Sequence, residues 1–293
     1  MANALNGVFL TRIAKLTLDA LLTSPLPVTS FWTDFSDELV PSGNAVTTRY
    51  PNALTVQNFA SAKTAIDSNT VSRTITLDKY IGVPVQFTDQ EMAFSDVKLL
   101  DMFVKPAITA LFENVMATQL ALVTVANFSS NNICLAADFT AANVARISRI
   151  QTALKVPTAN RHLLINPNYA EVLKKDSSVN ASYAYGPGFS IVHGVIPSVY
   201  GYTVHEWNGT IPTTNNLAAI AFVPQALLLA IRAPVQPRNW YGEVRNITDP
   251  DTGLTIQFRD YYDGTQQRTE WCFFYGCQIG NPGGLTRITN VAE

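Results

Sequence analysis

The feature that most constrains this chain is a run of period-two alternation between residues 71 and 87. Val71, Ile75, Leu77, Ile81, Val83, Val85 and Phe87 share one parity, while Ser72, Thr74, Thr76, Asp78 and Gln86 occupy the other. Alternation of this kind is the signature of extended β structure with one face buried. Taken whole it covers roughly 17 residues, or about 55 Å at 3.3 Å per residue, against about 5 to 6 residues for an ordinary strand. Gly82 and Pro84 are expected to bend it or to put it on a sheet edge. Upstream, Val46 to Val56 is Thr-rich and β-prone, and the polar stretch from Asn58 to Asn69 joins the two runs. Together they predict a long two-stranded ribbon, an element that is marginal in water and needs neighbouring elements or subunits to hold it.

On the far side of the ribbon, Thr88-Asp89-Gln90-Glu91 has the capping-box pattern and opens a helical region to about Ala126, with Pro106 expected to kink or restart it. After Pro106, Ile108, Phe112 and Val115 fall at i, i+4 and i+7, with Leu111 beside them and Glu113 away from them, which predicts a spine of about 30 Å. From Asp138, read as a capping residue, to Pro157 the stripe Val144, Ile147, Ile150, Leu154 predicts a second helix. Leu163 to Ile165 reads as a buried strand. Pro167 opens a helix carrying Tyr169, Val172 and Leu173, and strands follow at Tyr202 to His205 and Ala218 to Phe222. The end returns to β: Leu254, Ile256 and Phe258 alternate, Asp263-Gly264 makes a turn, and Thr269, Trp271, Phe273, Tyr275 and Cys277 alternate again. Before the ribbon, Phe9, Ile13 and Leu16 mark an amphipathic helix, and Pro25, Pro27 and the stretch Phe31 to Phe35 read as an extended strap.

With 293 residues and 47% hydrophobic content the chain can bury a sizeable core. Charged residues are only 14%, below the roughly 25% usual for soluble domains, so the surface suits contact with other protein. The net charge of -2, with no run of Lys or Arg, disfavours specific nucleic-acid recognition. The odd set Cys134, Cys272 and Cys277 contains no CxxC pair, which argues against a disulfide framework or a thiolate zinc site and fits a reducing compartment. Arg12, Lys15 and Asp19 interrupt the N-terminal apolar stretch, which is too short to cross a bilayer.

His162, His193 and His205 sit on different predicted elements without HxxxH or HExxH spacing and read as structural. Gly186-Pro187-Gly188 lacks the Walker lysine and reads as a loop. Asp34, Asp37 and Glu38 read as solvated or paired acids rather than a metal site, and Asp249 and Asp251 as a turn. Nucleophile-elbow and Ser-x-x-Lys motifs are absent, so no catalytic residue, metal ligand or cofactor site is assigned.

The order of parts (arm, long β loop, spine helix, compact α/β region, returning strands) resembles the major capsid (coat) protein family of tailed bacteriophages, whose fold also occurs in encapsulin shells. Local matches are Thr74-Ile75-Thr76-Leu77-Asp78-Lys79-Tyr80 followed by Val83 to Glu91, then Arg161-His162-Leu163-Leu164-Ile165-Asn166-Pro167, Gly194 to Val204, Ala218 to Pro234, Asp249 to Leu254, and Tyr275-Gly276 with Pro282. They span nearly the whole chain, and their weight lies in their order.

The resemblance implies an α+β capsid fold divided into an N-terminal arm (1–40), a β-ribbon extended loop (41–87), a spine helix (88–126) and returning strands (236–293) forming a peripheral domain, and an α/β axial domain (127–235). It implies a homo-oligomeric icosahedral shell around double-stranded DNA bound without sequence specificity, and a virion assembled in the bacterial cytoplasm, with no membrane partner and no cofactor. A portal is implied, and because the arm starts at Met1, a separate scaffolding protein or none. No Lys, Asn and acid set for covalent crosslinking can be aligned. On the arm and loop, Phe31, Trp32, Arg49, Tyr50, Lys63, Arg73 and Lys79 are expected to touch neighbouring subunits. The alternatives are an encapsulin-like compartment subunit and a monomeric α/β enzyme.

Overall fold

The computed structural model describes residues 12–19, 30–31, 44–51, 70–88, 90–91, 99–180, 196, 198–207, 216–235, 242–248, 254–263 and 266–291. Residues 12–19 form helix α1. Strands β1 (Ala45–Pro51) and β2 (Thr70–Thr76) pair antiparallel in a separate two-stranded ribbon. After Leu77 and Asp78 the chain continues, still extended, into β3 (Lys79–Thr88), so the long alternating run is one path that serves two sheets. Ile75, Leu77 and Phe87 are buried, and Ile81, Val83 and Val85 pack against the core, while Tyr80, Gly82, Pro84 and Gln86 face out. β3 ends its sheet, as the proline at 84 anticipates: an edge strand can forgo a donor.

The expected capping box is present. The Thr88 N–H and hydroxyl donate to Glu91 Oε2 (2.9 and 3.0 Å), which holds the Glu91 carboxyl below its usual range, and the Glu91 N–H donates back to Thr88 Oγ1 (3.3 Å). Helix α2 (Leu99–Ala121) runs unbroken through Pro106, where a kink or restart is expected from the sequence. Pro106 and Met102, four residues earlier, both face solvent, so water can satisfy the carbonyl that the missing N–H leaves free. Ile108, Leu111, Phe112 and Val115 are buried and Glu113 is exposed, as the spacing predicts.

The first five-stranded sheet is antiparallel throughout. β11 (Gln266–Ile279) is bordered on one side by β3, and on the other by β10 (Thr255–Asp263) and then β8 (Leu227–Arg232); β9 (Gly242–Thr248) completes it. The β10–β11 register ends at Asp263↔Gln266, with Gly264 of the expected turn outside the described residues. Spine α2 lies on this sheet through Phe112 against Phe273 (ring centroids 5.9 Å apart), and the Tyr275 hydroxyl donates to Asn114 Oδ1 (2.7 Å). α1 packs on the same core through Ile13, and Trp271 Nε1 donates to buried Thr17 Oγ1 at 3.2 Å.

The second sheet, in the order β4-β12-β7-β5-β6, is mixed, with β4∥β12 and β5∥β6 parallel. It comprises β4 (Asn131–Ile133), β5 (Arg161–Ile165), β6 (Tyr202–Glu206), β7 (Leu217–Phe222) and β12 (Leu285–Thr289). β7 is buried along its whole length, which explains its unbroken apolar sequence. One face meets helices α3 (Ala141–Ala153) and α4 (Pro167–Lys175) through Leu163, Ile165 and Ala219, while Leu164, Ile220 and Phe222 join the spine core.

Two strands cross the segment limits expected from the sequence. β8, within 127–235, joins the first sheet, and β12, within 236–293, joins the second. The chain leaves each sheet at a proline, Pro224 after β7 and Pro282 after β11, where a residue without an N–H cannot extend a ladder. The two crossings bond to each other: the Val223 N–H donates to Gly284 O, the Gly280 N–H to Ala226 O and the Asn281 N–H to Gln225 O, at 2.9 to 3.1 Å.

α3 departs from expectation at both ends. Leu154 is 47% exposed, and the position turned inward is Gln151, fully buried because its amide donates to Ala221 O (2.9 Å) and its oxygen accepts from the Tyr202 hydroxyl (2.6 Å). Asp138 does not cap this helix. Its first N–H, at Ala141, donates instead to Asp176 Oδ2 (2.8 Å), while Asp176 Oδ1 accepts from the Ser178 N–H at 2.9 Å. Partial burial pushes the Asp176 carboxyl up, but these hydrogen bonds win and hold it below its ordinary value. Asp176→Ala is expected to cost about 1 kcal/mol at neutral pH. A carboxyl with a lowered folded value contributes above its unfolded value, near 4, and loses that contribution as pH falls through its folded value. Urea melts of both proteins should therefore converge in acid; a difference independent of pH would refute the charged cap.

Candidate assembly surface

Among the described residues the ribbon is anchored at its base. Val46 and Ile75, directly opposite in register, are buried with Leu77 against Leu228 and Ala230 of β8, and the Leu77 N–H donates to Asn44 O at 2.7 Å. Gly276 of β11 passes directly beneath: a Cβ there would stand 2.1 Å from Thr76 O and 2.8 Å from Thr76 C, inside contact distance of backbone that cannot rotate away. Beside it Gln278 Nε2 donates to Thr74 O at 3.3 Å.

Above the base, Ala45, Thr47, Arg49, Ser72 and Thr74 form an exposed face, with the Thr47 and Thr74 hydroxyls 3.1 Å apart. On the opposite face Thr48 and Arg73 are half-buried. The described part of each strand is 7 residues, or about 23 Å of ribbon.

The residues expected at subunit contacts fall into three groups. Arg49 and Arg73 stand on opposite faces of the ribbon, and Lys79 sits where the ribbon enters the sheet, its ammonium 5.7 Å from the Tyr275 ring centre. Trp32, Lys63 and the side chain of Tyr50 lie outside the described residues, as do the acids at 34, 37, 38, 249 and 251, the glycines at 186 and 188, and His193. Phe31 corrects the expectation: it is 2% exposed, its ring 5.5 Å from that of Phe222, so its side chain fills its own subunit's core. The reason is the neighbouring sheet, whose apolar face Phe31 covers at Phe222.

Three features escape sequence reasoning. β3 presents an unpaired edge among the described residues, beside Tyr80, which is 51% exposed and rests on Phe274 at 4.6 Å. At the β4 edge Ile133, Leu135 and Val291 are exposed together, since Ile133 pairs in parallel with Thr289. His162 and His205, on separate predicted elements, meet across β5 and β6, their nearest nitrogens 3.2 Å apart. Their signal is a pairing of distant strands, which no local spacing encodes. Among the described residues no group of three or more His, Cys, Asp or Glu could hold a metal ion, and no helix is long and apolar enough to cross a membrane.

No protein-family model matches the sequence, and no curated protein matches it. Solved structures do match. A structure from Mycobacterium phage Che8 superposes with a TM-score of 0.63 at 17% identity, covering 90% of each chain. The capsid structure of cyanophage P-SCSP1u gives 0.59 at 12% identity over 90% of this chain and 86% of that one. A virus-like particle from Pyrococcus furiosus gives 0.56 at 10% identity over 96% and 99%. At such identities the likeness is one of architecture, and the architecture of this chain, from ribbon through spine helix to mixed sheet, is the phage major capsid fold.

Proposed function

We propose that the chain is the major capsid protein of a tailed double-stranded DNA bacteriophage, self-assembling into an icosahedral shell that encloses the genome. The observation that carries this reading is the ribbon: two paired strands, fixed at one end by five buried side chains and exposed along a face of threonines, serine and arginine. An isolated ribbon of this kind is marginal in water. A second subunit lying against it would supply the missing contacts, with acceptors for Arg49, Arg73 and Lys79; Trp32, Tyr50 and Lys63 are assigned to the same interface. The peripheral domain then comprises α2 with the first sheet, and the axial domain the second sheet with α3 and α4.

The action assigned is assembly, with no catalysis and no cofactor. DNA inside is held by the shell rather than by base or dense phosphate contacts, in keeping with a net charge of -2. A portal and a separate scaffolding protein complete the set of partners, and the virion is the place of action, with assembly in the bacterial cytoplasm.

A second reading is an encapsulin-like compartment subunit; the likeness to the Pyrococcus furiosus virus-like particle, over 96% of this chain and 99% of that one, supports a shell in either reading. Sedimentation and electron microscopy of the purified protein should give closed shells, and their contents decide between the readings: DNA supports the capsid, a protein cargo the compartment. A species of 32.0 kDa under all conditions would overturn both.

A further inference from the structure

Where the arm crosses the axial sheet, three polar groups converge. His205 Nε2 on β6 lies 3.2 Å from His162 Nδ1 on β5 and 3.1 Å from Ser30 Oγ on the arm. The two imidazoles stack at 5.4 Å, His162 lies 5.6 Å from the Phe222 ring, and Phe222 in turn receives Phe31 at 5.5 Å. Among the described residues, the hydrogen bond of Ser30 and the ring contact of Phe31 therefore share a footing on the histidine pair.

A nitrogen-to-nitrogen contact of this length holds one proton. It is a bond only while one of the facing nitrogens is bare. When both imidazoles are cationic, two N–H groups confront each other, the bond is lost and two like charges face each other in a half-buried site. The charged neighbours do not offset this. On β5, Arg161 directs its guanidinium elsewhere, to Pro157 O, Val156 O, Ser148 and Thr152; on β6, Glu206 is committed to Lys174 at 2.6 Å. Among the described residues β7 contributes Phe222 and the arm Ser30 and Phe31, none of which titrates. Among the described residues no carboxylate hydrogen-bonds either imidazole.

We propose that His162 and His205 form a proton-sensitive latch, which fastens the arm at Ser30–Phe31 to the axial sheet at neutral pH and releases it on acidification. Burial lowers both histidines, and His205, facing His162 as well, falls to about 4. With the arm off, water reaches the rings and they regain an ordinary value near 6.5. The released form then binds more protons, so acid drives release. Docking is fully favourable above about pH 6.5 and is lost as pH falls toward the docked value of His205. Release would uncover Phe31 and Phe222 and free the arm to lie on another surface. Because the latch joins parts of one chain, it can be tested whether or not shells form.

The test is amide hydrogen exchange of the full-length protein, following the peptide that contains residues 30 and 31 from pH 7 to pH 4.5, corrected for intrinsic exchange, with the α2 peptide as internal standard. Protection of the arm should fall by about tenfold or more, since a shift of one pKa unit corresponds to a factor of ten, while α2 stays protected. In the His162→Gln/His205→Gln double variant, which keeps polar side chains but cannot titrate, arm protection should become independent of pH over this range. An equal acid-dependent loss in the double variant, or none in the unaltered protein, would overturn the latch. NMR titration of the unaltered protein supplies the arm of the test that needs no folded variant: a His205 ring titrating near 6.5 while the arm stays protected would also overturn it.

Discussion

Replacing Phe112 by Asp is expected to leave no folded subunit. Phe112 is 1% exposed and sits between the spine stripe of Ile108, Leu111 and Val115 and the sheet, with Phe273 stacked on it at 5.9 Å. Removing such a ring by truncation alone costs about 3 to 5 kcal/mol. Aspartate adds a carboxylate among apolar side chains, which costs several kcal/mol more whether it ionises unpaired or takes up a proton. The total rivals the roughly 5 to 15 kcal/mol by which a domain is stable. Phe112→Leu, which keeps most of the volume, should fold with a lowered melting temperature. Circular dichroism and urea melts of the two variants separate the cases. A native-like melt for the aspartate variant would refute the placement of the spine on its sheet.

Gly276→Ala is expected to fold and to fail at assembly. A single methyl at this position meets Thr76 O at 2.1 Å and Ile75 Cγ2 at 3.2 Å, so the ribbon base must move off β11. Overpacking of this kind costs about 1 to 3 kcal/mol. The two large cores do not depend on the contact, but the cluster of Val46, Ile75, Leu77, Leu228 and Ala230 does. The subunit should therefore keep its circular dichroism and most of its thermal stability while residues 45–51 and 70–76 lose exchange protection. Shell yield by sedimentation should drop steeply, because every subunit in a shell repeats the same defect. Normal shells from this variant would show that the ribbon does not grip a neighbour, and a wholly unfolded chain would show that its base belongs to the main core.

What could be read from the sequence was whatever repeats with a local period. The alternation from Val71 to Phe87 identified both the ribbon and the edge strand, and the spacing of Ile108, Phe112 and Val115 identified the buried face of the spine. Thr88 and Glu91 identified their own cap. Gln151 was missed because an amide inside a helix looks like a surface residue until its partners, Ala221 O and the Tyr202 hydroxyl, are known, and both lie at least 51 positions away. β8 and β12 were not singled out as strands, and a short apolar strand carries no mark of which ladder it will join. The ribbon arginines could be proposed as contacts from their place in an exposed element, whereas Phe31, an aromatic in an arm, gave no sign that its own sheet would claim it.

Two of the three crossings between the sheets, β7 to β8 and β11 to β12, also have a mechanical meaning. A domain pair joined by one strand can pivot like a ball joint, with a few residues absorbing the whole motion. Here the chain passes from sheet to sheet at 223–226 and again at 280–284, and the two passages are bonded to each other. Such a bridge works as a torsion bar: it resists splaying, since that would break bonds shared by both passages, and yields most readily to twist about its own length. In a closed lattice, small equal twists repeated in every subunit alter curvature without opening any seam, so a shell of this chain would adjust its radius by rotation.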